Sequence, residues 1–425
     1  MITRIEALRY RALRYVSQEV GPFQVLVGPN ASGKSTFLDV VAFLGDLLQG
    51  GLSAAVQGDP KVGIAQRAPD PAHLVWLRQA HGFELAVELA IPEARRQQLS
   101  GGGYTTARYE VSVKAKDELG LVSETLWLKP DAPLAMARAQ RESFPASPEP
   151  PETIVIPARK RTPPGWKKVV SRSEDAAKVY FTSETSGWNS PFRIGPTKSA
   201  LANLPEDEAR FPVATWVKEV LGEDVQRIVL ASEAMRRPSA PGRPRTFLPD
   251  GSNLPWVVDR LERETPERFS RWVEHVREAL PDLQSVTTRE REEDRHRYLL
   301  LRYENGLEAP SWLVSDGTLR LLALTLLAYV PDLHGTYLVE EPENGIHPRA
   351  VEVIQQSLSS LYGAQALCAT HSPVVLSMAE AGQVLCFARD STGAADIVRG
   401  SEHPGLKRWK GEVDLGTLFA SGVLG

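Results

Sequence analysis

Nine consecutive residues, Gly28-Pro29-Asn30-Ala31-Ser32-Gly33-Lys34-Ser35-Thr36, have the types and spacing to cradle a triphosphate. Glycines at both ends let the backbone curl so that its N–H groups face the β- and γ-phosphate oxygens. Lys34 reaches the same oxygens, and the Ser35 hydroxyl can ligate Mg2+. Gly28, Asn30, Ser32, Gly33, Lys34, Ser35 and Thr36 are therefore the candidate nucleotide contacts, with Lys34 also a candidate catalytic group. A bare glycine-rich turn lacks the context this chemistry needs, which is a strand before the loop and a helix after it. Both are expected here: residues 23–27 are apolar, and Phe37, Leu38, Val41, Leu44 and Leu48 fall on one helical face.

Three more constellations follow in order near the C-terminus. Ser315-Asp316-Gly317-Thr318-Leu319-Arg320 opens a strongly helical run that Pro331 closes. A Ser and a Gly at a helix start offer a hydroxyl, free N–H groups and a positive dipole end to an anion, although an ordinary cap has the same composition. Next, the apolar run Thr336-Tyr337-Leu338-Val339 ends in Glu340 and Glu341. Two charges at the tip of a buried strand are costly unless a cation sits there. Glu340 is placed to hold Mg2+ and Glu341 to polarise the water that attacks a γ-phosphate. Last, Ala366-Leu367-Cys368-Ala369-Thr370 delivers His371 at a strand tip, where a γ-phosphate sensor is needed.

The elements that must position these residues read as follows. Short strands lead into the phosphate loop, and strands at 83–89, 109–114 and 121–129 predict an antiparallel layer beside the nucleotide core. From Pro130 the texture turns Pro-, Ser- and Arg-rich and reads as an irregular insertion. Helices are expected between Phe211 and Leu280, with Ser252 or Asn253 capping one that carries Pro255 in its first turn. Two strands bracket the turn dipeptide Asn305-Gly306. Cys368 and Cys386 sit in apolar runs and read as small buried hydrophobes. The expected lobes are 1–129, an insertion over 130–310, irregular then helical, and 311–425.

The 425 residues, 42% hydrophobic and 24% charged, fit a soluble globular chain. No apolar run approaches the ~18 residues of a membrane helix and the N-terminus lacks a signal-peptide core, so a cytoplasmic protein without a membrane partner is expected. A net charge of -4 leaves nucleic-acid binding to local patches such as 159–168 or Arg236, Arg237, Arg243 and Arg245.

These motifs together resemble ABC-class ATPases of the SMC, RecF and OLD kind. Gly28 to Thr36 look like a Walker A motif, Ser315 to Arg320 like an ABC signature, Tyr337 to Glu341 like a Walker B, Glu343 to His347 like a D-loop and His371 like the switch histidine. Residues 250–254 and the tail 414–419 are also similar to that branch. Glu340 departs from the Asp of most ABC members. The resemblance implies an α/β fold: an ABC-type P-loop head with a mixed sheet, flanking helices and an antiparallel layer, carrying a largely helical insertion. It also implies Mg2+-dependent ATP hydrolysis and an ATP-dependent homodimer in which Ser315 and Gly317 close over the opposing phosphate loop. Its implied settings are a subunit gating a separately encoded effector in anti-phage defence, as in Septu-like systems, or a RecF-like ATPase that clamps DNA; a transporter energy module fits the long insertions poorly. The residues after His371 are too few for a fused nuclease, and Asp390 and Asp396 read as a hairpin turn. The Mg2+-sensing glutamine is open among Gln49, Gln57 and Gln66, and the adenine-stacking residue is Tyr10, Tyr15 or neither.

Overall fold

A computed structural model describes residues 1–101, 103–130, 141–146, 148–156, 162–172, 178–244, 246–406 and 414–422. Seventeen strands and ten α-helices are present among them. The strands are β1 (Ile2–Tyr10), β2 (Leu13–Glu19), β3 (Phe23–Val27), β4 (Gly82–Ala90), β5 (Tyr104–Lys114), β6 (Gly120–Pro130), β7 (Lys167–Arg172), β8 (Lys178–Thr182), β9 (Asn189–Arg193), β10 (Val225–Ile228), β11 (Leu283–Glu290), β12 (Arg297–Tyr303), β13 (Glu308–Pro310), β14 (Gly335–Glu340), β15 (Ala364–Thr370), β16 (Val384–Arg389) and β17 (Ala395–Arg399). The helices are α1 (Lys34–Gln57), α2 (Glu93–Arg96), α3 (Pro212–Gly222), α4 (Ser232–Arg236), α5 (Leu254–Glu264), α6 (Pro266–Ala279), α7 (Asp316–Leu326), α8 (Pro348–Ser359), α9 (Pro373–Ser377) and α10 (Leu415–Ala420).

The site is positioned by a six-stranded sheet in the order β10-β14-β15-β3-β16-β17. Its first five strands run parallel and only β17 is antiparallel. Every residue of β3 and β15 is buried, as expected of parallel strands covered on both faces. Side chains alternate between two cores across this sheet. Leu26, Leu338 and Leu367 join α1, α3 and the large antiparallel sheet, whereas Val25, Val27, Val339 and Cys368 join α5 to α8. Cys368 and Cys386 are both buried, with thiols that burial pushes up.

The expected antiparallel layer is an eight-stranded sheet, β2-β1-β4-β5-β6-β7-β8-β9. Its last three strands come from the stretch whose proline content suggested irregular structure. Local alternation overrode that signal: Val179 and Phe181 of β8 are buried while Lys178 and Tyr180 point out. Further along, β10 lies within the segment expected to be helical and joins the central sheet, while the strands expected around Asn305-Gly306 belong to a three-stranded sheet, β11-β12-β13. Asn253 does not cap α5 with its side chain as expected. The buried amide instead accepts from Leu248 N and donates to the Pro244 and Thr246 carbonyls, stapling the preceding loop. Among the described residues α1 alone has the length and apolar composition of a membrane-crossing helix, although Asp39 and Asp46 interrupt its apolar run. Its apolar face lies in the core, and Gly51, at φ 79°, kinks it.

Candidate functional site

The phosphate loop is built by what surrounds it. Gly28 follows β3 directly, and a Cβ there would lie 2.2 Å from the Phe387 carbonyl oxygen of neighbouring β16. At Gly33, φ 104°, a Cβ would lie 2.7 Å from the Ala395 methyl of β17. Both glycines are thus demanded by close approach as well as by curvature. α1 begins at Lys34 with no side-chain cap and no acid in its first turn, so its free N–H groups and positive dipole end stay available to an anion. The Ser32 hydroxyl is buried without a hydrogen-bond partner. Lys34 Nζ donates to the loop's own Gly28 and Pro29 carbonyls, at 2.7 and 2.9 Å. Burial lowers its ammonium to about 8, against the charges of Glu341, Glu340 and Glu343.

β14 and β15 bring the other groups to the same edge. Glu340, in register with Ala369, accepts from Ser35 Oγ through one oxygen and from Arg227 Nη2, 2.6 Å away, through the other. Glu341 turns off the strand end with φ 48° while its N–H donates to the Ala369 carbonyl at 2.8 Å. A left-handed non-glycine residue costs on the order of 1–3 kcal/mol and is held only where surroundings over-determine it. His371 projects from the tip of β15. Burial lowers its pKa, and the Lys34 charge adds to that, against Glu341 and Glu343. The imidazole is therefore predominantly neutral at pH 7.

Asn30, Ser32, Gly33, Lys34, Ser35 and Thr36 line one side of a cavity of about 340 Å³, and Glu340, Glu341 and His371 line it too. Arg11, Ala12 and Arg389 complete the wall, and Arg389 Nε donates to the Ala31 carbonyl at 2.8 Å. A neighbouring cavity of about 630 Å³ shares Arg11, Ser35 and Thr36. The donor set fits a hard divalent cation. Ser35 Oγ and a Glu340 oxygen already converge, and no group of three or more His, Cys, Asp or Glu placed to hold a metal occurs among the described residues, which leaves room for phosphate and water as further ligands.

Ser315 and Gly317 do not line this cavity. Ser315 is the N-cap of α7; its hydroxyl accepts from Thr318 N at 3.2 Å and the residue is exposed. A Cβ on Gly317 would lie 2.8 Å from the Gly345 carbonyl, so the signature stretch packs on the loop that follows the paired glutamates. Arg236 fixes the approach to α7, donating to the Val314 carbonyl and pairing with Asp316.

Sequence reasoning overlooked two residues of this site. Glu343 accepts from Thr370 Oγ1 at 2.7 Å and His371 N at 2.9 Å, tying the two strand tips together, while its second oxygen is buried without a partner. The sequence places Glu343 at the start of the stretch that looks like a D-loop, without a role of its own. Arg227, on the short strand β10, carried no signal at all. Among the three glutamines, Gln66 and Gln49 line the larger cavity and Gln57 lines neither. The Gln49 amide is engaged by the Gly222 carbonyl, and Arg67, next to Gln66, is anchored by Asp39 and Asp46. Tyr10 is fully buried with its hydroxyl 2.6 Å from Asp39, which removes it as a stacking surface, and Tyr15 lines a separate cavity.

The basic patches are occupied internally in part, and Arg237 and Arg243 are exposed. Lys167 donates to the Glu184 carbonyl, Lys168 lies over the Trp127 ring, and Arg236 serves α7. Residues 159–161 and Arg245 lie outside the described residues. Asp390 does organise the turn before β17, accepting from Thr392 and Ala394 N–H, whereas Asp396 is a buried residue of β17 bound to Arg141.

A family model described as "AAA domain, putative AbiEii toxin, Type IV TA system" matches residues 23–71 and 160–377. Among solved structures, an Smc head bound to the C-terminal winged-helix domain of ScpA is similar, with a TM-score of 0.52 at 14% identity over 93% of this chain and 96% of that one. An Smc head with an extended coiled coil, bound to the C-terminal domain of ScpA from Pyrococcus furiosus, gives 0.49 at 13% over 93% and 95%. The SMC head of Thermotoga maritima gives 0.42 at 11% over 94% and 98%. No curated protein matches the sequence. At these identities the first of these structures speaks to the fold alone.

Proposed function

We propose, starting from a chain that belongs to the AAA-domain family described as putative AbiEii toxin of a Type IV TA system, that this P-loop ATPase with an SMC-head fold closes as a homodimer around Mg2+–ATP. Hydrolysis then releases the closure. The observation that carries this reading is the single cavity in which Lys34 and Ser35 face Glu340, Glu341 and His371.

In this reading Lys34 exchanges its two loop carbonyls for phosphate oxygens, and the uncapped N-terminus of α1 receives the β-phosphate. Ser35 and Glu340 hold the cation, which supplies charge neutralisation across the β- and γ-phosphates. Glu341 orients and deprotonates the attacking water. His371, neutral and steadied by Glu343, donates a hydrogen bond to the γ-phosphate and reports its loss to α9. Gln66 is the favoured metal-sensing glutamine because its neighbour Arg67 is fixed beside Ser35's cavity. Ser315, exposed, and Gly317, half-buried, line no part of Lys34's cavity and act across the dimer on the second nucleotide.

The family description favours a cytoplasmic defence setting, in which the closed dimer gates a separately encoded effector. The DNA-clamping alternative stays open: Lys167, Lys168 and Arg236 are engaged internally, whereas Arg237 and Arg243 are exposed. Sedimentation of the Glu341→Gln variant tests the core of the proposal. The substitution is expected to slow hydrolysis about 10²–10⁴-fold and to hold the chain at twice its monomer mass with ATP and Mg2+, but not without ATP. An unchanged mass on adding ATP overturns the dimer.

A further inference from the structure

We infer that Arg227 is a resident counter-cation for Glu340, holding the place of the divalent metal until nucleotide and metal arrive together. The inference rests on the assignment of Ser35 and Glu340 to the metal. Glu340 divides its two oxygens between Ser35 Oγ and the Arg227 guanidinium, 2.6 Å away. A strand tip that ends in Glu340 and Glu341 concentrates negative charge, and the guanidinium offsets it when no metal does. Arg227 lies on β10, the edge strand of the central sheet, with its side chain 51% exposed and that of Glu340 25% exposed. The pair is therefore reachable by water and salt, and it is exchangeable rather than locked.

Arg227 also has somewhere to go. It lines the 630 Å³ cavity together with Asp46 and Asp250, and its charge already acts on the Asp46 carboxyl. Asp46 is meanwhile held by Arg67, so its second lone pairs stay within reach of a guanidinium released from Glu340. Lys34 does not share this contact, its amine donating to the Gly28 and Pro29 carbonyls. Metal and guanidinium thus compete for one carboxylate, and Arg227 sets the metal concentration at which the site loads.

The test titrates Mn2+ into the full chain with saturating ADP and reads free Mn2+ by electron paramagnetic resonance. Arg227→Gln is expected to tighten the apparent Mn2+ Kd about three- to tenfold, the size expected on removing an opposing unit charge beside a partly exposed ligand. Arg227→Lys should fall between the two, since it keeps the charge and loses the planar fork. Residue 227 is half exposed on an edge strand, so an unchanged melting temperature is expected for both variants. An unchanged or weakened Kd in Arg227→Gln overturns the inference. Uptake by Glu340→Gln equal to that of the unsubstituted chain overturns instead the metal assignment on which it rests.

Discussion

Two helix N-termini in this chain carry the phosphate-binding motifs, and they are prepared in opposite ways. The first turn of α1 has no side-chain cap and no acid, and it follows a loop whose two buried glycines leave no room for a Cβ. The start of α7 is already capped by Ser315, carries Asp316 in its first turn and is bound to Arg236. One end is left open to an anion within its own molecule. The other has its electrostatic capacity partly spent internally, and in the proposed dimer it contributes to a phosphate only when the second copy presses the two together. A third end, that of α3, is closed altogether, because Glu184 accepts from Val213 N and Ala214 N at 2.7 and 2.8 Å.

Three measurements can break this comparison. Lys34→Ala should weaken ATP binding to the isolated monomer about 100-fold, from the loss of charge-assisted hydrogen bonds. Calorimetry that finds near-normal affinity would mean that the open end of α1 is not the anion site. Ser315→Arg should leave monomer affinity within about twofold, yet lower steady-state hydrolysis about tenfold or more by preventing closure, as expected for an interaction made only on reaching the transition state. A parallel loss of monomer affinity would erase the distinction between the two ends.

The smallest effect concerns α3. Burial raises the Glu184 carboxyl from the ordinary 4.5 to about 7, outweighing the two N–H groups that favour its charge. The folded state thus prefers the protonated form: the stability linked to it is fully present below about pH 4.5 and is lost as the pH rises through about 7. Urea unfolding at pH 5 and pH 8 should show the unsubstituted chain losing about 1–3 kcal/mol more than Glu184→Gln across that interval. Equal slopes would mean that Glu184 behaves as an ordinary exposed acid.

The legible part of the molecule was that written in short-range spacing. The loop from Gly28 to Thr36, the tip at Glu340 and Glu341, and His371 each follow an apolar strand that the sequence announces, and parallel pairing of those strands brings the tips to one edge. Arg227 and Glu343 were not legible because their importance arises from register. Arg227 matters only because β10 lies beside β14, and Glu343 because β15 ends within reach of it. The strands β7 to β9 were hidden by prolines and charges around them, although Val179 and Phe181 carried the alternation. Asn253 looked like a cap because its neighbours do; what distinguishes it is the loop folded back over its amide.

The seating of Gly317 on the Gly345 carbonyl makes the start of α7 and the turn beyond Glu341 a single mechanical unit. With no side chain at Gly317 to cushion the contact, a shift of one segment presses directly on the other. A single methyl wedged into that seam would uncouple what happens at the mouth of the molecule from the chemistry at its strand tips, without altering any group that touches phosphate.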